Sequence, residues 1–155
     1  MLSKSNVFQL DIQCIIEGKI PSSRSEPMLS SFMVICLFAE FEKEVLQVIH
    51  KRVCLSLDKH IVNYFDASLS RSWQGKEFKD LKRFIRKFGD EYGDKLESEI
   101  ESRGNLEQIR NTYNTVVLHR NEFAHKAEIN TSQSQLEGFQ NALFTILVSI
   151  DSTFA

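Results

Sequence analysis

Residues 106–125 read LEQIRNTYNTVVLHRNEFAH. Leu106, Ile109, Tyr113 and Val116 recur at intervals of three and four, which places them on one face of a helix running from Leu106 to about Ala124. The next position at that spacing is Arg120, followed by Phe123 and Ala124. A guanidinium therefore stands where a core residue belongs. Burying that charge alone costs several kcal/mol, on the order of any ion left unpaired in a protein interior, so Arg120 must be paired, lie in a cleft or face another subunit. Asn121 precedes His125 by four residues and Glu122 by three, so a continuous helix sets an amide and a carboxylate beside the imidazole. Arg120 is five residues from His125, roughly 140° around an ideal helix, which puts His125 at or just past the last turn if the two are to act together.

No strand-like alternation interrupts the chain, and only six glycines and two prolines punctuate it, so helix dominates the reading. Downstream of the motif, Thr131 is an N-cap candidate for a last helix reaching about Thr153, with Leu136, Phe139, Leu143, Ile146, Leu147 and Ile150 inward. Upstream, Asp94–Glu101 is acidic and short, a loose helix or a flap. Gly89 and Gly93 break it from an amphipathic helix over Lys76–Phe88, which turns Phe78, Leu81, Ile85 and Phe88 to one side. The Ser-rich segment Asp66–Gly75, with Trp73, is the main surface loop, and Lys59–Phe65 supplies a separate turn or two before it. Met28 to about Leu57 reads as one long helix whose wide apolar face includes Phe32, Ile35, Cys36, Phe38, Ala39, Val45, Leu46 and Ile49. Lys19–Pro27 is a polar loop, and Ser5–Glu17 a first helix that Gly18 stops. The expected architecture is all-α: a bundle of four long helices with one or two short extra ones, in a single domain over 1–155.

Composition agrees with one packed core. Apolar residues make up 42% of the chain and charged residues 26%, and 155 residues are enough to bury a core that needs no disulfide or metal. The formal charge of −2 carries no overall attraction for polyanions, so any nucleic-acid contact must come from a local patch. Cys14, Cys36 and Cys54 are odd in number and widely spaced, as expected of reduced core thiols in a cytoplasmic protein. Met1–Asn6 is polar, Val7–Ile16 mixes polar and apolar residues, and the most apolar run, Phe32–Ala39, is too short to span a bilayer; no membrane association is expected.

The hexapeptide Arg120-Asn121-Glu122-Phe123-Ala124-His125, preceded by Val116, Val117 and Leu118, resembles the Arg-x4-His signature of HEPN domains, in particular the RiboL-PSP-type HEPN nucleases, which have Asn after the Arg and Ala before the His. In that family the motif ends the penultimate long helix of a bundle, as it does here if Thr131–Thr153 is the last. The resemblance implies RNA cleavage without metal or other cofactor: a ribose 2′-hydroxyl attacks the adjacent phosphate in a cleft where two protomers of a homodimer bring their motifs face to face. It implies that Arg120 binds and stabilises the phosphate, that His125 is general acid or base and that Asn121 orients them. It also implies a toxin or defence effector, often paired with an antitoxin or a nucleotidyltransferase-like regulatory protein. These side chains suit the chemistry, because an imidazole titrates near neutrality and a guanidinium fork matches phosphate oxygens.

Other candidates surround this pair. Glu40, Glu42 and Glu44 on the long helix include possible partners for Arg120, with Glu40 or Glu42 favoured, and Glu122 is placed to tune His125. Lys79, Arg83, Arg86 and Lys87, with Lys82, form a basic set available to RNA phosphates. His119, Glu122 and His125 invite a metal reading, but the two histidines lie six apart, about 120° around the helix, and do not match HExxH spacing, so no metal site is expected. The alternative to a nuclease is a non-catalytic helical adaptor or antitoxin-like module in which Arg120 and Asn121 only hold a dimer or a partner.

Overall fold

The computed structural model describes residues 25–55, 62, 68, 76–126 and 131–155. The expected helix over Ser5–Glu17, the turn over Lys59–Phe65 and the loop Asp66–Gly75 with Trp73 lie outside the described residues, apart from positions 62 and 68. The described residues form five helices and no strand: α1 (Ser25–Cys54), α2 (Phe78–Arg86), α3 (Asp90–Arg103), α4 (Leu106–Lys126) and α5 (Gln133–Phe154). Four are long and α2 is short, an all-α bundle. None of these helices is long and apolar enough to cross a membrane.

α1 starts three residues earlier than the periodicity indicates, at Ser25, and takes in Pro27. Proline is tolerated there because a first-turn N–H has no helical partner to lose. Its inward face also differs from the expected one. Val34, Leu37, Phe38, Phe41, Val45 and Ile49 are buried, while Phe32 is 44% exposed and Ala39 points outward. Phe38, Phe41, Phe78 and Tyr113 form an aromatic cluster joining α1, α2 and α4, with ring centroids 5.8–6.0 Å apart. Each fully buried ring contributes about 1.5–3 kcal/mol of apolar transfer, so this cluster is the main tie between the three helices.

α2 has an unusual start. Its N-cap residue Glu77 makes no side-chain cap bond; instead the Phe78 N–H donates to Asn114 Oδ1 on α4 at 2.8 Å. One of the helix's orphan donors is thus satisfied by a residue 36 positions away, which locks α2 to α4. At the other end Lys87, Phe88 and Gly89 close with N–H bonds to residues three back, and Gly89 turns the chain at φ +148°.

Gly93, expected as a breaker, lies inside α3. A Cβ there would sit 2.4 Å from Arg86 Cγ, so this glycine permits the close approach of α2. The segment expected as a short helix or flap is a 14-residue helix with Leu96 and Ile100 fully buried. Lys82 of α2 bonds Glu97 at 2.6 Å and Asp94 at 3.2 Å, and α3 also packs along α5.

Gly104 ends α3, and Asn105, whose Oδ1 accepts the Gln108 N–H at 2.8 Å, opens α4. α5 is capped by Ser132, not Thr131. Ser132 and Gln135 form a reciprocal capping box, whereas Thr131 is buried and bonded to His119. All six residues expected on the inward stripe of α5 are buried, and α5 packs against α1, α3 and α4.

Candidate functional site

Arg120 sits two turns beyond Tyr113 on the same face of α4, at the point where the buried stripe reaches the edge of the bundle. Its side chain is 32% exposed, so the guanidinium is neither in the core nor free in water. Two residues of α1, one turn apart, hold it. Phe38 places its ring centroid 5.1 Å from the guanidinium carbon, and Glu42 Oε1 lies 3.7 Å from Arg120 Nη1. The first is a cation–π contact that leaves the guanidinium charge in place; the second is an ion pair longer than a hydrogen bond. The misplaced cation is therefore paired and partly exposed at the bundle edge.

The Phe38 ring lies between Arg120 and Tyr113, so the cation is backed directly by the aromatic cluster. Tyr113 is 0% exposed, and its hydroxyl has no hydrogen-bond partner among the described residues. Burial, and then the carboxylate of Glu42, push this phenol far above its ordinary range, while Arg120 opposes the shift. Tyr113 is thus a neutral wall beneath the Arg120–Glu42 pair at any working pH. Phe38 and Tyr113 were not singled out as site residues from sequence. The signal that bears on them is spacing: seven residues from Tyr113 to Arg120, and four from Phe38 to Glu42.

Asn121 is exposed and Glu122 half-buried on the outer side of α4. The backbone of α4 continues through His125 to Lys126, which puts His125 in the final turn, while the side chains of residues 123–126 lie outside the described set. Glu40 is half-buried; after burial, its charge is the second cause that raises the Cys36 thiol above its usual range. Next to Arg120, His119 presents Nδ1 to Thr131 Oγ1 at 3.2 Å and stacks edge-on against Phe139, with centroids 5.4 Å apart. These contacts tie the motif end of α4 to the start of α5.

The basic set has local partners. Lys79 pairs with Glu77 at 2.8 Å, Arg83 with Asp80 at 3.0 Å and Arg86 with Asp94 at 2.9 Å, and the Lys87 ammonium lies 6.0 Å from the Phe84 ring centroid. The bond to Glu77 holds the Lys79 ammonium above its usual range, and bonds from Arg86 and then Lys82 hold the Asp94 carboxyl below its own. Such exposed pairs contribute little to stability and give way readily to another anion, but they reduce the net positive field of α2. Among the described residues, no group of three His, Cys, Asp or Glu side chains is arranged to hold a metal ion.

The sequence pattern of the RiboL-PSP-HEPN family matches residues 9–155 of this chain. No curated protein and no solved structure matches it.

Proposed function

The chain belongs to the RiboL-PSP-HEPN family, and on that premise we propose that it is a metal-independent endoribonuclease with Arg120 and His125 as its catalytic pair. The observation that carries the reading is the setting of Arg120: a cation at the end of a buried stripe, steadied by Phe38 and Glu42 and still one-third open to solvent. A guanidinium positioned in this way offers a preorganised donor for the charge that builds on a phosphate under attack. In the proposed reaction the ribose 2′-oxygen bonds to the adjacent phosphorus as the bond to the 5′-oxygen breaks, leaving a 2′,3′-cyclic phosphate and a 5′-hydroxyl. His125 takes the 2′-proton or delivers one to the leaving oxygen, and Asn121, with Glu122 beside it, orients the imidazole.

On this reading the working unit is a homodimer that brings two motifs to one cleft, because helix geometry leaves Arg120 and His125 of a single chain roughly 140° apart. The 3.7 Å separation of Arg120 and Glu42 suits an exchangeable partner, so an incoming phosphate displaces the carboxylate and Glu42 serves as a placeholder in the unliganded protein. The role is that of a toxin or defence effector acting on cellular RNA in the cytoplasm, held in check by an antitoxin or a nucleotidyltransferase-like regulatory protein. Lys79, Arg83, Arg86 and Lys87 serve at most as exchangeable phosphate contacts, since Lys79, Arg83 and Arg86 already pair with carboxylates and Lys87 lies near an aromatic ring.

The test is cleavage of a mixed single-stranded RNA in the presence of EDTA, with Arg120→Ala and His125→Ala alongside wild type. Each variant is expected to lose at least a hundredfold in rate while keeping helix content and native mass. Full activity in both variants overturns the proposal and leaves the helical adaptor as the reading to pursue.

A further inference from the structure

A second surface of α4 bears groups that the Arg120 site does not use. Between α4 and α5 lies a shallow, open cleft of about 490 Å³. Gln108, Asn111, Thr112 and Thr115 form one wall, at intervals of three and four along α4. Phe139 of α5, itself buried, supplies the apolar floor, and Asn105 and Glu107 complete the lining. The contact of His119 with Phe139 and its hydrogen bond to Thr131 fix that floor.

The chemistry of the lining narrows the ligand. No Lys or Arg lines the cleft and Glu107 adds a negative charge, so a phosphate is not what it takes. Asn105 Oδ1 is committed to its helix cap, and the Thr115 hydroxyl donates to the Asn111 carbonyl. The side-chain amides of Gln108 and Asn111 and the hydroxyl of Thr112 have no hydrogen-bond partner among the described residues. Two free amides, a hydroxyl and a carboxylate above an apolar floor match the edge of a neutral heterocycle carrying an exocyclic amine. Asn and Gln amides pair in this bidentate way with the N6 and N7 atoms of adenine, and carboxylates accept from exocyclic amines. Unpaired RNA bases are recognised through such edges.

The register places this cleft relative to the motif. Taking about 100° per residue, Glu122 falls roughly 20° and position 125 roughly 40° from Asn111 around α4, whereas Arg120 falls on the opposite side. The cleft and His125 thus share one helix face, separated by about 15 Å along the axis from Thr115. We propose that this cleft reads one unpaired adenine of the RNA, a few nucleotides from the bond that is cut. The inference rests on the nuclease reading for its substrate.

The test uses the full chain and hexanucleotides with 2′-O-methyl groups, which lack the attacking hydroxyl and report binding without cleavage. A hexamer with one adenine among uridines is expected to bind about tenfold more tightly than hexauridine and to shift the Gln108 and Asn111 side-chain amide resonances. Gln108→Ala with Asn111→Ala, both at exposed positions, is expected to keep the circular dichroism of wild type and erase the preference. Equal affinity of wild type for both hexamers, a preference retained in the double variant, or adenosine alone binding as tightly as the hexamer each overturns the assignment. Cleavage of unmodified RNA, followed in parallel, keeps the two claims apart. Cleavage without adenine preference removes the cleft assignment alone, whereas preference without cleavage sustains the adenine site and removes both the nuclease reading and the site's place beside a cut bond.

Discussion

Tyr113→Phe deletes a single oxygen from the aromatic cluster behind Arg120, and the variant is expected to be more stable than the wild type. The ring stays in place, so its contacts with Phe38, Phe41 and Phe78 survive. What disappears is a fully buried hydroxyl with no hydrogen-bond partner among the described residues, a group whose desolvation costs about 1–3 kcal/mol. Against that gain stands the void left by one oxygen, on the order of 10 Å³, or roughly 0.2 kcal/mol. The balance is a stabilisation of about 1–2 kcal/mol, which in a chain of 155 residues raises Tm by roughly 3–6 °C.

The same burial carries a pH signature. The folded phenol is raised above its unfolded value of 10.0, so between those two values the unfolded state releases a proton that the folded state retains. Stability is unaffected by this group below the unfolded value. It falls above that value by about 1.4 kcal/mol per pH unit, a component that Tyr113→Phe lacks. Urea denaturation of both proteins from pH 8 to 11 measures both effects. A Phe variant that is less stable at pH 8, or that declines as steeply as wild type above pH 10, would refute the reasoning and point to a partner for the hydroxyl.

Glu42→Gln keeps the shape of the Arg120 contact and removes its charge. The bare Coulomb attraction at 3.7 Å is roughly 1–4.5 kcal/mol between the water and near-surface limits, and desolvation offsets most of it, so a loss of about 1 kcal/mol that shrinks with salt is expected in denaturant titrations. Asn114→Ala takes away the only cap bond described at the start of α2 and strands the N–H of buried Phe78; a loss of about 1–2 kcal/mol, with hydrogen exchange of α2 accelerated ahead of the other helices, is expected. Asp94 has its carboxyl held below the ordinary 3.8 by Arg86 and Lys82. Its contribution is present above that value and lost as pH falls through the depressed one, so Asp94→Asn is expected to flatten the acid limb of the stability curve below about pH 4 while leaving its shape above pH 6 unchanged. Identical acid limbs in the two proteins would count against the Asp94 pairings.

Local spacing was sufficient wherever polar and apolar residues alternate with a clear period. The stripe Leu106, Ile109, Tyr113 and Val116 and the six inward residues of α5 are correct because polar neighbours on the other faces leave only one way to turn the helix. The anomaly of Arg120 was legible for the same reason: a charge in register with a core stripe must be answered by something. In the first half of α1 that contrast is missing. Nearly every residue from Phe32 to Ala39 is apolar, so period alone did not distinguish the face bearing Val34, Leu37, Phe38 and Phe41 from the face bearing Phe32 and Ala39. In α3 the helix alternative is the right one, but two glycines and a run of acidic residues hid its length and its burial, which comes from α2 and α5 packed around it.

The composition of the motif and its place at the end of a long helix before a last one are therefore properties of the sequence, since both depend on neighbours three and four residues apart. Which group answers Arg120 is not. Glu40, Glu42 and Glu44 are all carried by α1, and selecting Glu42, together with Phe38 one turn earlier, depends on how α1 is rotated and shifted against α4. Remote partners such as Asn114 at the start of α2, Thr131 beside His119 and Arg86 over Gly93 have the same origin. Contacts within a helix follow from its period, whereas contacts between helices follow from the packing of whole surfaces, and only the tertiary structure specifies those.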